Sequence, residues 1–328
     1  MALNNEELLR KATLSLDDFG GGGEAPLSIE QVAKFYRVAI DAQAMLPDVR
    51  TVMSNSNKWQ ESKLDFGSRI MRAGVEGVRL VDAYDATTAG TGRAKPTTGI
   101  IEISTSLIRG EVPITDEVLE DQVERAGFSD TLTTLIAERV GRDIEELLIN
   151  GDTAVVGTDA YLGLLDGWFE VAKDGTGAND YDATADAQDY QAIFSTLLAS
   201  LADRFKKDKA NMRFYVPARL EEKYRDNLTA RGTPLGDQML EGERPLKYQG
   251  VLIKPVSILD IAAGAPDTSE ILLSHRLNLL AGYRRMVKFE TYRDPREGVT
   301  SFIVTCRVDA EIEHIPATAL AYSVNVEP

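Results

Sequence analysis

The side chains able to do chemistry are few in this chain, and their spacing decides against most of it. His275 and His314 are its only histidines. His314 closes the run "EIEH", where Glu311 or Glu313 could join it on a metal ion. Side chains alternate along a strand, however, so His314 points away from both carboxylates. The single cysteine, Cys306, alternates with apolar neighbours in "SFIVTCRVDAEIEH" and reads as a core residue. "ERVGRDIEEL" is rich in carboxylates, but a di-iron site needs Glu-x-x-His on facing helices. No histidine follows here, and the run reads as a salt-bridged solvent face. "GTGRAKPTTG" lacks the Gly-Lys-Ser/Thr ending of a phosphate loop, and no helix signal follows it. The run Gly20–Gly23 precedes no helix directly and reads as a hinge. No Gly-x-Ser-x-Gly elbow supports a serine-histidine triad. "RFKKDK" could touch nucleic acid, yet Phe205 is its one aromatic and its lysines double as a helix terminus. The expectation is a protein with no catalytic, cofactor-binding or metal-ligating residues, and no enzyme.

Bulk properties agree with that. The 328 residues exceed one typical compact domain, and 43% hydrophobic with 27% charged residues describes a soluble globular chain. No apolar run approaches the roughly 20 residues of a membrane span, so no membrane partner is expected. "MALNNEELLRKATLSL" lacks the basic flank and apolar centre of a signal peptide. A lone cysteine excludes an internal disulfide framework. The net charge of −16 argues against a protein whose main task is gripping phosphate backbones.

What must be positioned is therefore the elements themselves. The clearest is "SDTLTTLIAERVGRDIEELLINGD". Phe128, Leu132, Leu135, Ile136, Val140, Ile144, Leu147 and Leu148 step by three and four, which predicts one apolar helix face. Ser129 is placed to cap it, Asn150-Gly151 to stop it, and Arg139 to pair with Asp143. Gly141 in mid-helix costs about 1 kcal/mol against Ala, which points to another backbone passing close. A helix is predicted over 29–46, ending before Pro47, and a short one from Thr115. "DYQAIFSTLLASLADRFKKDK" reads as an amphipathic helix through Phe205, led by Asp186 and Asp189. "MRFYVP", "GVLIKPV" and "EILLSH" read as strands and "ARLEEKYRDNL" as a helix. In the β-rich end, Phe302, Val304, Cys306, Val308, Ala310 and Ile312 share one face, with "RDPREG" as the turn before them.

The segment from Leu64 to Ile108 is the oddity. Two strand-like arms of about 17 to 20 residues make a ribbon of roughly 55 to 65 Å. Between Val81 and Ile100 its tip holds one large apolar residue, Tyr84. A two-stranded ribbon is marginal alone, so either it is disordered or it lies along a surface belonging to another subunit.

At this point "LDFGSRI", "GEVPITDEVLED", "LIAERVGRDIEELLINGD" and "RVDAEI" together resemble the major capsid proteins of tailed bacteriophages, the Hong Kong 97 fold. The resemblance runs from about residue 28 onward and is most specific where "ITDEVLED" joins the long helix. It implies an α+β fold with an N-terminal arm (1–61), an extended β-hairpin loop (62–110), a peripheral domain with the long spine helix (111–154), an axial domain (155–283) and a C-terminal peripheral sheet (284–328). It also implies hexameric and pentameric capsomers in an icosahedral shell around double-stranded DNA that is not specifically bound, in the virion, assembled in the host cytoplasm. Portal, scaffolding and decoration proteins are the implied partners. Some members carry a scaffolding domain of about a hundred residues ahead of the arm; the lead here is too short for one. Lys95 sits at the loop tip, but no asparagine with a nearby acid is identifiable for the covalent crosslink some members form. An encapsulin-like compartment is the alternative within the fold, and an acidic hydrolase the remote one outside it.

Overall fold

The computed structural model describes residues 45–65, 70–71, 76–77, 81–82, 92–93, 96–116, 128–155, 160–175, 177–185, 189–229, 245–260 and 268–326. The glycine hinge, all but the end of the helix predicted over 29–46, and most of the loop tip lie outside them, as does the short helix after Thr115 beyond Asp116. Chain tracing gives two compact units, Ser56–Ser104 and the remainder.

Strand β1 (Arg50–Met53) precedes the smaller unit. There β2 (Lys58–Asp65) and β5 (Thr97–Ser104) pair antiparallel in unbroken register from Lys58↔Ser104 to Asp65↔Thr97, and β3 (Val81–Asp82) pairs parallel with β4 (Gly92–Arg93). The long ladder has eight described residues per arm, about 26 Å at 3.3 Å each; most of the expected ribbon between Asp65 and Thr97 lies outside the described residues. Gly99 lies opposite Lys63, and a Cβ there would stand 2.6 Å from Lys63 Cε.

The loop ends earlier than expected. Residues 106–110, assigned to it above, belong to β6 (Ser106–Thr115), which pairs with a distant strand from Val308↔Ser106 to Val299↔Thr115. Buried Thr105 separates β5 from β6. Apolar steps of three and four then make helix α1, Phe128–Asn150, about 34 Å long. Ser129 falls inside its first turn. Gly151 N–H returns to Leu147 O at 2.9 Å, and Arg139 Nε meets Asp143 Oδ1 at 2.8 Å. Helix α2 (Trp168–Asp174) buries Trp168 completely, its Nε1 donating to Leu280 O at 2.9 Å.

Strand β7 (Asp180–Asp182) leads to helix α3, Tyr190–Ser200, whose Asp189 side chain accepts from Ala192 N at 3.1 Å. The predicted continuation through Phe205 fails. Leu201 turns extended yet stays buried, so the apolar rhythm outlives the helix, and Lys206–Asp208 is a separate 3-10 turn. Next come β8 (Met212–Pro217), helix α4 (Ala218–Thr229), β9 (Lys247–Tyr248), β10 (Val251–Val256) and β11 (Thr268–His275). The chain ends with β12 (Leu279–Asp294), β13 (Val299–Ile312) and β14 (Ala319–Asn325).

These strands make two sheets, β1-β12-β13-β6 and β7-β14-β11-β8-β10-β9. Phe302, Val304, Cys306, Val308, Ala310 and Ile312 are all buried, and the last four share a core with Ile144, Leu147 and Leu148 of α1. A second core forms around Phe194, Phe214, Tyr224 and Tyr248 between the six-stranded sheet and its helices. One correction concerns 284–328 as a single C-terminal sheet. The turn Ile315–Ala317, with Pro316, ends the run of β13, and β14 crosses into the six-stranded sheet between β11 and β7. Leu320, Ala321 and Val324 are buried there.

The β12–β13 turn is anchored from outside. Asp116 N donates to Gly298 O at 2.8 Å, and the Asp116 carboxylate accepts from Arg293 Nη2 at 2.8 Å and Thr300 Oγ1 at 2.9 Å. The Arg293 hydrogen bond, then that of Thr300, lowers the Asp116 pKa below the ordinary 3.8. A depressed carboxylate stabilises the fold above its unfolded pKa and loses that contribution as pH falls through the folded value. Asp116→Asn should therefore lower the melting temperature of unassembled subunits slightly at neutral pH and leave it unchanged in strong acid. An equal loss at both ends of a pH series would sink this account.

Candidate functional site

The sequence singles out no catalytic set, and the described residues hold no group of three or more His, Cys, Asp or Glu placed to hold a metal ion. His275 Nδ1 accepts from Leu277 N at 3.2 Å and so caps a 3-10 turn. His314 stacks its ring near Phe205, centroids 5.1 Å apart, while its backbone binds both ends of the Asn278 amide. Cys306 is buried in the α1 core, and burial pushes its thiol up to about 11. All three are structural. Of "RFKKDK", Lys206 pairs with Asp203 at 3.1 Å and Arg204 lies over the Phe205 ring.

What the residues build instead is a clamp at the root of the N-terminal segment. Its centre is Glu145, which the charge pattern of α1 assigned to the solvent face. It is fully buried. Its carboxylate Oε1 accepts from the backbone N–H of Met45 through a very short contact and from Leu46 N at 3.0 Å. These donors begin the 3-10 turn Leu46–Asp48, with Pro47 inside it. A carboxylate is the natural acceptor for N–H groups that a turn start leaves open. A signal was available: Glu145 lies three residues before Leu148 and four before Ile149, on a buried flank of the helix. Two further ties hold the same root. Asp48 takes Lys254 Nζ of β10 at 2.5 Å, and Arg50 Nη1 meets Glu313 Oε2 at 2.9 Å. The root is thus tied to the long helix, to the six-stranded sheet and to the end of β13.

At the far end of α1 two glycines meet. Gly167 N donates to Gly151 O at 2.7 Å. A Cβ on Gly151 would stand 2.4 Å from Leu165 O, and one on Gly167 2.5 Å from Ile149 O. Gly151, expected as a helix stop, is needed for this backbone contact. Gly141 is partly buried.

A cleft of about 450 Å³ opens beside this junction, lined by Asn150, Glu170, Lys173, Glu270 and Tyr322 among others. Glu270 sits at a register shift of β11 opposite Ser323, whose φ is 57°. Burial raises the Glu270 pKa; the Lys173 charge opposes it and the Glu170 charge adds to it, and the net shift is upward. A raised carboxyl favours the fold where it is protonated and weakens it as pH rises through the folded value. Glu270→Gln should therefore raise the melting temperature at neutral pH, with the gain vanishing in acid. A loss at neutral pH would mean that the Lys173 attraction outweighs burial. Among the described residues lining the cleft, no hydrogen bond pairs a nucleophile with a base.

The arrangement is mechanical: a long helix laid on a sheet, pinned at one end by a buried carboxylate and at the other by glycine contact. Comparison with known proteins agrees with that. Residues 54–320 match the model of the phage capsid family. A putative prophage capsid protein of Bacillus subtilis (strain 168), YqbE, is 31% identical over 97% of this chain and 98% of its own length. Among solved structures, the capsid of Myoviridae phage XM1 matches with TM-score 0.58 and 16% identity, covering 92% of this chain and all of that one. The holo-SrpI encapsulin complex of Synechococcus elongatus PCC 7942 matches with TM-score 0.53 and 13% identity, over 90% and 94% of the two chains.

Proposed function

The chain belongs to the phage capsid family and is a capsid shell protein with the Hong Kong 97 fold, and from that premise we propose how it builds the shell. Identical copies form hexameric and pentameric capsomers that close into an icosahedral head around double-stranded DNA. The observation that carries this is the small unit. Its two-stranded ribbon exposes Leu64, Ile70, Met71 and Ile100, each more than half accessible. Exposed large apolar side chains on so small a unit mark a surface that another protein covers, and in a shell of identical copies that protein is a neighbour. The peripheral domain of this reading comprises α1 with the four-stranded sheet, and the axial domain the six-stranded sheet.

The role is structural, with no turnover and no cofactor. Assembly takes place in the host cytoplasm with portal and scaffolding proteins, and a decoration protein on the outside fits the same scheme. The charge of −16 supports an interior that confines DNA without gripping it. Electron microscopy of the purified protein tests the reading: closed shells of uniform diameter containing nucleic acid are expected. A protein that stays monomeric at high concentration would overturn it. Shells that hold a protein cargo and no nucleic acid would favour the encapsulin-like alternative. Capsomers that bind duplex DNA with sub-micromolar affinity in physiological salt would refute the confinement.

A further inference from the structure

The four-stranded sheet has a second face, turned away from α1, and its charges run against those of the chain. Register places Arg307 directly between Leu107 of β6 and Arg285 of β12. In the next row Thr305 lies between Arg109 and Lys288. Strands stand about 4.8 Å apart and successive same-face residues about 7 Å apart. Four cations therefore share a patch on three adjacent strands, in a chain with 36 basic and 52 acidic residues. Arg109, Arg285 and Lys288 are exposed, and Leu107 beside them is 49% exposed.

The patch gathers like charge, with Arg285 directly opposite Arg307 in the ladder. Two register shifts flank Arg285, between Tyr283 and Arg285 and between Arg285 and Lys288; such bulges re-aim side chains. Lys288 is engaged by Glu290 on its own strand. Arg285 also acts on the Glu290 carboxylate, behind Lys288, while Arg109 has no ion-pair partner among the described residues. At the centre, the Thr305 hydroxyl is shielded from solvent and finds no hydrogen-bond partner among them either. Cations around an unused hydroxyl donor are complementary to a carboxylate.

We infer that this face is a docking seat for a carboxylate-bearing segment of a second copy of the chain. The inference rests on the shell reading and deepens it by naming a contact surface. Copies this acidic repel one another at long range, so their close contact needs a local cationic surface. A nucleic-acid backbone fits less well. The next row pairs Ile303 with Glu111 and Glu290; a rim with an apolar residue and two carboxylates accommodates a protein segment that brings one carboxylate to the cations better than a continuous run of phosphates.

The test is arginine-specific modification with phenylglyoxal on wild-type protein, read by mass spectrometry before and after assembly. Arg109 and Arg285 should be modified in unassembled subunits and protected in empty shells. Equal modification in both states would overturn the docking seat while leaving the shell reading intact, since shells would have formed. Protection only in DNA-filled shells would assign the face to nucleic acid instead. Failure of wild-type protein to assemble at all would instead sink the shell reading on which the seat depends. In parallel, the double variant Arg109→Glu/Arg285→Glu should cut shell yield by about tenfold or more with unchanged circular dichroism. Arg109→Lys/Arg285→Lys should assemble nearly normally. Wild-type yield from the charge-reversed variant would equally refute the seat.

Discussion

Replacing Glu145 with alanine is expected to destabilise the subunit by on the order of 3 kcal/mol. The carboxylate answers two backbone donors, those of Met45 and Leu46. Removing it strands both, and each buried unsatisfied group costs about 1–3 kcal/mol. Alanine is too short to replace it and leaves space beside the fully buried Met45. Glu145→Gln keeps one carbonyl acceptor and should cost about 1 kcal/mol, because a charged acceptor is replaced by a neutral one. Urea unfolding of unassembled subunits separates the two variants. If Glu145→Ala unfolds at the wild-type midpoint, the clamp contributes nothing. Beyond stability, the alanine variant loosens the start of the turn at Met45 and Leu46, although the Asp48 to Lys254 and Arg50 to Glu313 pairs still hold its far side. The angle at which the preceding segment leaves is then less tightly set. Shells from this variant should be heterogeneous in diameter under electron microscopy.

An effect of comparable size is expected at Gly167→Ala. The added Cβ would stand 2.5 Å from Ile149 O and 2.8 Å from Gly151 N. Both are backbone atoms of a buried junction, so relief requires the end of α1 to move away from α2. Overpacking of this kind costs about 3 kcal/mol at the upper end of its usual range. It would also lengthen the 2.7 Å bond from Gly167 N to Gly151 O. Gly110→Ala is the matched control, because a Cβ there meets nothing within 4 Å. It should shift stability by no more than about 0.5 kcal/mol. Thermal melting of both proteins decides the matter: equal melting temperatures would show that the glycine contact yields easily.

Much of this architecture can be read before any coordinates. α1 is legible because its apolar steps and terminal Asn-Gly agree with one another, and β13 because six alternate positions are apolar. Strands β8, β10 and β11 are short apolar runs between polar turns, and Asp189 announces α3. The misreadings share one physical cause: local pattern does not report what a distant strand offers. Leu201 continues the rhythm of α3 and is buried, yet it serves an extended chain. Residues 106–110 resemble the ribbon arm, but five consecutive partners on β13, Val304 to Val308, claim them. Nothing in "ALAYSVN" distinguishes one sheet from the other; the turn at Pro316 does. Glu145 is hidden for a different reason. A carboxylate among charged neighbours looks solvated, and its two donors lie 99 and 100 positions away.

The crossing of β14 bears on the order in which the subunit can form. β1 pairs with β12, Arg50 meets Glu313 across 263 positions, and β7 pairs with β14. Neither sheet is complete until strands near the C-terminus have left the ribosome. Such non-local pairings close large loops before they return any contact energy, which makes folding slow. During synthesis, therefore, β1, β6 and β7 wait unpaired for strands of the last fifty residues, and premature contacts between nascent copies would trap the chain. The last strand acts as a timing device: a chain stopped before Ala319 has β11 and β7 without the strand that joins them. Such a chain should reach the insoluble fraction, where the full-length chain reaches shells.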